Sequence, residues 1–100
     1  FMSQKKTTIT KQMGITHHEF VRLLPQAVGS HRFHVHGNTV DVENDHGHRI
    51  HIELGDEAVR QIALMRIPTT PVTLIFDGYD EDARTAFMQR FDRAYHRGGG

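Results

Sequence analysis

The chain has 100 residues, which is enough for one hydrophobic core and too few for two. Its 12 basic residues balance its 12 acidic residues, so no positive field attracts nucleic acid or anionic lipid, and we expect neither as a partner. Cysteine is absent, which excludes disulfides, thiolate metal sites and cysteine nucleophiles. Because no signal peptide or long apolar stretch is present, the sequence predicts a cytoplasmic protein that is not bound to a membrane.

The chain divides into a predicted tail, one domain and a second tail. Residues 1–14 are polar and show no apolar period, so we expect a flexible N-terminal tail. A single domain is predicted over 15–97, and a flexible glycine tail over 98–100. The domain begins with a capping box, in which Thr16 and Glu19 bind each other's backbone N–H groups at the start of a helix. Pro25 is expected to end or kink this short helix.

From residue 31 the apolar residues alternate with polar ones, which is typical of half-buried β-strands. Gly37-Asn38 and Asp45-His46-Gly47 separate three such runs, so we predict three strands joined by two hairpins. A two-residue first turn and a three-residue second loop would place all the apolar residues on one face. These residues are Phe33, Val35, Val40, Val42, Ile50 and Ile52.

Residues 56–67 fit either a helix capped by Asp56 or a strand from Arg60 to Ile67, and we favour the strand, which would turn back through residues 68–71. A strand over residues 72–76 follows, and a C-terminal helix begins at Asp80 and buries Phe87 and Phe91. The sequence therefore predicts an α+β two-layer sandwich. It has a short N-terminal helix, a meandering antiparallel sheet of four or five strands, and a longer C-terminal helix packed on one face.

Nine histidines are the unusual feature of the composition, and six of them lie between residues 31 and 51. The predicted register brings several of them together with carboxylates on the polar face of the sheet. Imidazole and carboxylate groups are ligands of zinc, nickel and copper. The candidate metal ligands are His34, His36, Asp41, His51 and Glu53. Alternatively, the same side chains form a solvated face on which opposite charges pair across strands.

Two other classes of function can be weighed from the residues. Hydrolytic chemistry would use His34 or His51 as a base oriented by Asp41, but no nucleophile accompanies them, so we expect no enzymatic activity. An open sheet face or edge would suit a binding or adaptor domain, with a protein partner or a second copy as its ligand. We favour this function because it needs the fewest assumptions.

The last residues, Gly98 to Gly100, give a chain end that resembles the ubiquitin-like sulfur carriers at those positions only. The resemblance implies a C-terminal glycine that is adenylated and thiocarboxylated. A predicted helix precedes these glycines here, where the carriers have a β-strand, so a simple helix stop is the other interpretation.

Overall fold

A computed structural model of the protein describes residues 6–96. Within them, six strands and three helices follow one another along the chain. They are β1 (Lys6–Met13), α1 (His17–Arg22), α2 (Leu24–Val28), β2 (Arg32–His36), β3 (Thr39–Glu43), β4 (Arg49–Leu54), β5 (Ala58–Ile62), β6 (Met65–Asp77) and α3 (Glu81–Tyr95).

The strands form one antiparallel sheet in the order β1-β6-β4-β3-β2, and β5 pairs with the first part of β6. The predicted α+β class is confirmed. The described residues contain six strands instead of the predicted four or five, because β1 was not anticipated. The β2–β3–β4 meander has the predicted register, with Val35 opposite Val40 and Val42 opposite Ile50.

Residues 6–13 form β1, so the prediction of a flexible tail over 1–14 is wrong for this segment. β1 pairs along its whole length with β6, from Lys6 opposite Asp77 to Met13 opposite Thr70. Its residues alternate between exposed and half-buried positions, and Ile9 and Met13 pack against the core. Hydrogen bonds between the backbones of β1 and β6 hold this polar segment in the sheet, because such bonds do not require apolar side chains. Residues 1–5 and the predicted glycine tail over 98–100 lie outside the described residues.

The segment 56–67 contains strand and no helix, as favoured, but the predicted single strand from Arg60 to Ile67 is divided between β5 and the start of β6, and the predicted turn at 68–71 is wrong. The chain reverses at Ala63-Leu64 instead, and residues 68–71 continue within the 13-residue strand β6. Pro68 lies opposite Val59. Within residues 6–96 no strand pairs with the other side of β6 at this position, so the missing N–H group of Pro68 costs no hydrogen bond. A proline at such an edge position does not end a strand, which is why the turn signal was misleading.

A β-bulge separates β4 from β5 on one side of β6. Leu54 pairs with Val72 and Ala58 with Thr69, so three residues (55–57) on one strand oppose two (70–71) on the other. The N–H group of Gly55 donates to the carbonyl oxygen of Pro71 at 2.7 Å. A Cβ atom at residue 55 would lie 2.5 Å from Cγ of Pro71, so this close approach requires glycine.

All three helices pack on one face of the sheet, where their buried residues join those of the strands in a single core. Thr16 caps α1 as predicted, since its hydroxyl oxygen accepts from the N–H group of Glu19 at 3.1 Å. Pro25 stands in the first turn of α2, where its missing N–H group costs no hydrogen bond. From α3, Phe87 and Phe91 are buried.

Tyr95 joins the C-terminal helix to the first helix. Its hydroxyl group donates to the carbonyl oxygen of Phe20 at 2.7 Å, and the two rings stack with centroids 4.9 Å apart. Burial raises the pKa of the Tyr95 phenol above its ordinary value. The folded state therefore keeps its proton at a pH where the unfolded chain has begun to lose it.

Replacing Tyr95 with Phe should lower the free energy of unfolding near neutral pH by about 1 kcal/mol, because one hydrogen bond is lost. The raised pKa means that this contribution is present below about pH 10 and decreases as pH rises further. Urea unfolding of both proteins at neutral pH and above pH 10 measures it. A difference in stability between the two proteins that stays constant with pH would contradict this account.

Candidate functional site

No helix of residues 6–96 covers the second face of the sheet, and this face forms the candidate site. We call it the open face and define it by three rungs of side chains that run across the strands in the order β2, β3, β4, β6, β1. The charged rung is Arg32, Glu43, Arg49, Asp77 and Lys6; the imidazole rung is His34, Asp41, His51, Ile75 and Thr8; the third rung is His36, Thr39, Glu53, Thr73 and Thr10.

The charged rung alternates in sign across all five strands. Each basic residue on it stands opposite an acidic residue of the next strand, and the Arg32 guanidinium lies 3.8 Å from the Glu43 carboxylate. Opposite charges at directly paired positions stabilise an antiparallel sheet, and like charges destabilise it. The hairpin register predicted from the sequence implies the first three members of this rung, because they lie on the three strands of the meander. The last two, Asp77 and Lys6, come from strands whose pairing was not predicted.

Two turns position the imidazole rung as the sequence predicted. Gly37, with a φ of 60°, begins the two-residue turn between β2 and β3, and Gly47, with a φ of 81°, closes the three-residue loop between β3 and β4. His34, Asp41 and His51 consequently stand side by side on adjacent strands. The predicted placement of His36 and Glu53 on the next rung is also confirmed.

His51 is held between two carboxylates. Its Nδ1 atom lies 2.7 Å from Oδ1 of Asp41, and its Nε2 atom lies 3.3 Å from Oε2 of Glu53. A protonated imidazole donates from both nitrogens and satisfies both contacts at once. The side chains of Asp41 and Glu53 are each more than half exposed, so water reaches this group. The arrangement places an imidazole between two carboxylates at a solvent-accessible position.

The remaining candidate metal ligands lie beside this group. The rings of His34 and His36 are nearly parallel, with their centroids 5.9 Å apart. In residues 6–96, no three or more histidine, aspartate or glutamate side chains are arranged to hold a metal ion. The five predicted ligands are thus brought to one face, but both ring nitrogens of His51 already contact carboxylates.

A groove of about 760 Å³ follows β2 and β3. The open-face side chains that line it come from all three rungs: Arg32, His34, His36, Asp41, Glu43 and Arg49. Its walls carry both signs of charge and several hydrogen-bond donors and acceptors. His31, Phe33 and Val42 also line the groove, so it combines charged groups with apolar surface.

Three other histidines of the 31–51 cluster lie away from the open face. His31 contacts the hydroxyl group of Tyr79 through Nε2 at 3.1 Å and packs edge-on against Phe87 of α3. The ring of His48 packs on Tyr79 as well, and His46 lies in the exposed loop. Burial raises the pKa of Tyr79, although a hydrogen bond with Asn44 opposes this effect. These histidines belong to the helix-covered side.

The sequence interpretation missed the hairpin formed by residues 58–69, which we call the arm. It contains four of the five large apolar side chains that are exposed in residues 6–96: Val59, Ile62, Leu64 and Met65. Leu64 at its tip is 97% exposed. The described residues measure 54 Å along their longest axis and 23 Å across. The sequence signal for the arm was the number of apolar residues between 58 and 69, which exceeds what the predicted core could bury.

None of the helices in the described part of the chain has the length and apolar character needed to cross a membrane. No family model matches the chain, and no curated protein or solved structure matches it either.

Replacing Arg49 with Glu should destabilise the fold by about 0.5–2 kcal/mol, because it would place a third acid between Glu43 and Asp77. Arg60→Glu is the matched control, since Arg60 is also an exposed strand residue but stands opposite the uncharged Ile67. Urea unfolding of both variants at low and high salt measures the effect. We expect high salt to reduce the loss in Arg49→Glu; equal losses in the two variants would contradict the role of the charged rung.

Proposed function

We propose that this protein is a non-catalytic binding domain that recognises a protein partner through its open face. The observation that carries the proposal is the arrangement of the three helices on one side of the sheet. Within residues 6–96, five strands consequently present their polar side chains to solvent without a covering layer. A partner that lies on this face can pair its own charged and polar groups with those of the rungs.

The chemistry of the open face indicates the kind of partner. The charged rung presents alternating positive and negative groups at the spacing of adjacent strands, about 5 Å apart. A segment of a partner that carries both acidic and basic side chains would find a complementary group for each of them. Such complementarity favours specificity and correct register more than raw affinity. We therefore propose a partner segment of mixed charge.

Selection from a displayed library of random peptides, with the full chain immobilised, tests this proposal. We expect enriched peptides of mixed charge that bind at least about tenfold more weakly when His34→Ala and His51→Ala are combined. The matched control is His18→Ala with His46→Ala, which removes two exposed histidines away from the open face. Fluorescence anisotropy measures each affinity. Peptides that bind the wild type and both double variants equally would refute the proposal.

A second candidate function is the binding of zinc, nickel or copper by the histidines and carboxylates of the open face. Its support is the short distance of His51 from both Asp41 and Glu53, with His34 and His36 on β2, the strand on the other side of Asp41. A metal ion would have to displace at least one of these carboxylate contacts. We rank it second for that reason.

Calorimetric titration with zinc separates the two candidates. Because the ring nitrogens of His51 already have partners, we expect no tight stoichiometric uptake by the wild type. The same two double variants, His34→Ala with His51→Ala and His18→Ala with His46→Ala, are titrated beside the wild type. Tight one-to-one binding that is lost when His34 and His51 are replaced, but kept in the control, would make metal binding the better account.

A further inference from the structure

We propose that a second copy of this chain pairs with the arm through the free edge of β5, antiparallel, around a two-fold axis at Val59. The result is a four-stranded sheet in the order β6-β5-β5-β6. This inference is independent of the proposed use of the open face, because it concerns different residues.

The edge of β5 is available for pairing. Within residues 6–96, β5 pairs with β6 on one side and with no strand on the other. Pro68 has no N–H group, so the opposed pair of Val59 and Pro68 is not a hydrogen-bonded pair. The backbone groups of Val59, and by alternation those of Gln61, therefore point away from β6. An edge with such unpaired groups and no proline is a template for another strand.

The side chains of the arm provide the apolar surface that an interface needs. Val59 is 57% exposed, Met65 62% and Ile62 47%, and they occupy both faces of the hairpin. A patch of this kind, confined to one projecting element, marks an interaction surface. Pairing of two arms would bring the apolar residues of both copies together on each side of the new sheet.

The charges favour a second copy as the occupant. The two residues that precede the arm, Asp56 and Glu57, are acidic, whereas the outer part of the arm carries Arg60 and Arg66 with no acidic residue. Two arms in antiparallel contact place this acidic pair of each copy beside the basic part of the other. The whole chain has a net charge of zero, so no overall repulsion opposes association.

The same reasoning selects the register. A two-fold axis at Arg60 would place the two copies of that residue directly opposite each other, and like charges at paired positions are unfavourable. An axis at Gln61 would shorten the paired segment by moving Val59 opposite the turn residue Ala63. An axis at Val59 avoids both problems and sets Glu57 opposite Gln61 of the second copy.

A single new thiol tests the register, because the chain contains no cysteine. In the proposed pair, the Cα atoms of residue 59 in the two copies are about 5.5 Å apart, which a disulfide can span. We expect Val59→Cys to form a disulfide-linked dimer rapidly under mild oxidation. Ile62→Cys is the matched control, since this residue is similarly exposed but lies several residues from its counterpart across the axis. Equal cross-linking of both variants would overturn the register.

The oligomeric state tests the interface itself. Sedimentation equilibrium of the full chain should show a reversible dimer. Gln61→Pro should be monomeric because it removes an outward N–H group, whereas Gln61→Ala should still dimerise. Val59→Lys, which sets two charges against each other at the axis, provides a second monomeric variant if Gln61→Pro unfolds. A wild type that stays monomeric at millimolar concentration would overturn the proposal, and it would leave the peptide-binding result for the open face unaffected.

Discussion

The register of the β2–β3–β4 meander is the constraint on which the remaining structure depends. A shift of one residue in either hairpin would exchange the two faces, so Val42 and Ile50 would meet water while His51 and Asp41 entered the core. Both aliphatic side chains are instead almost completely buried beneath the helices. The burial of several such residues, each contributing about 1.5–3 kcal/mol, selects one register over its neighbours. The polar rungs of the open face are a consequence of that choice.

The sequence was informative wherever a local signal and burial agreed. Gly37 and Gly47 identified the two turns, and the alternation between them identified the faces, so the positions of His34, Asp41 and His51 could be predicted. Thr16 and Asp80 likewise identified the helix starts, and each side chain caps its helix. Val35 was the exception in this region. It lies on the predicted face but is 38% exposed, because β2 is an edge strand that the helices cover only in part.

Prediction failed where structure depends on distant partners. Nothing within residues 6–13 indicates a strand until β6 is known to offer its edge, because the segment has only Ile9 and Met13 as apolar residues facing the core. The turn at Ala63-Leu64 has no glycine, asparagine or aspartate, and Ala63 adopts a φ of 55° that glycine favours. The hairpin pairing of β5 with β6 therefore outweighs a local conformational preference. The contact between His51 and Glu53 could not be predicted either. Both residues lie on β4, and their contact depends on side-chain orientation, which the alternation of apolar and polar residues does not define.

The pairing of β1 with β6 also orders events in time. Met13 meets Thr70 and Lys6 meets Asp77, so β1 finds its neighbour only after all the intervening strands have been synthesised. Closing such a long loop is slow compared with forming the local hairpins of the meander. During translation β6 would have one side paired and the other bare. We therefore expect β1 to complete the sheet after the locally paired strands have formed.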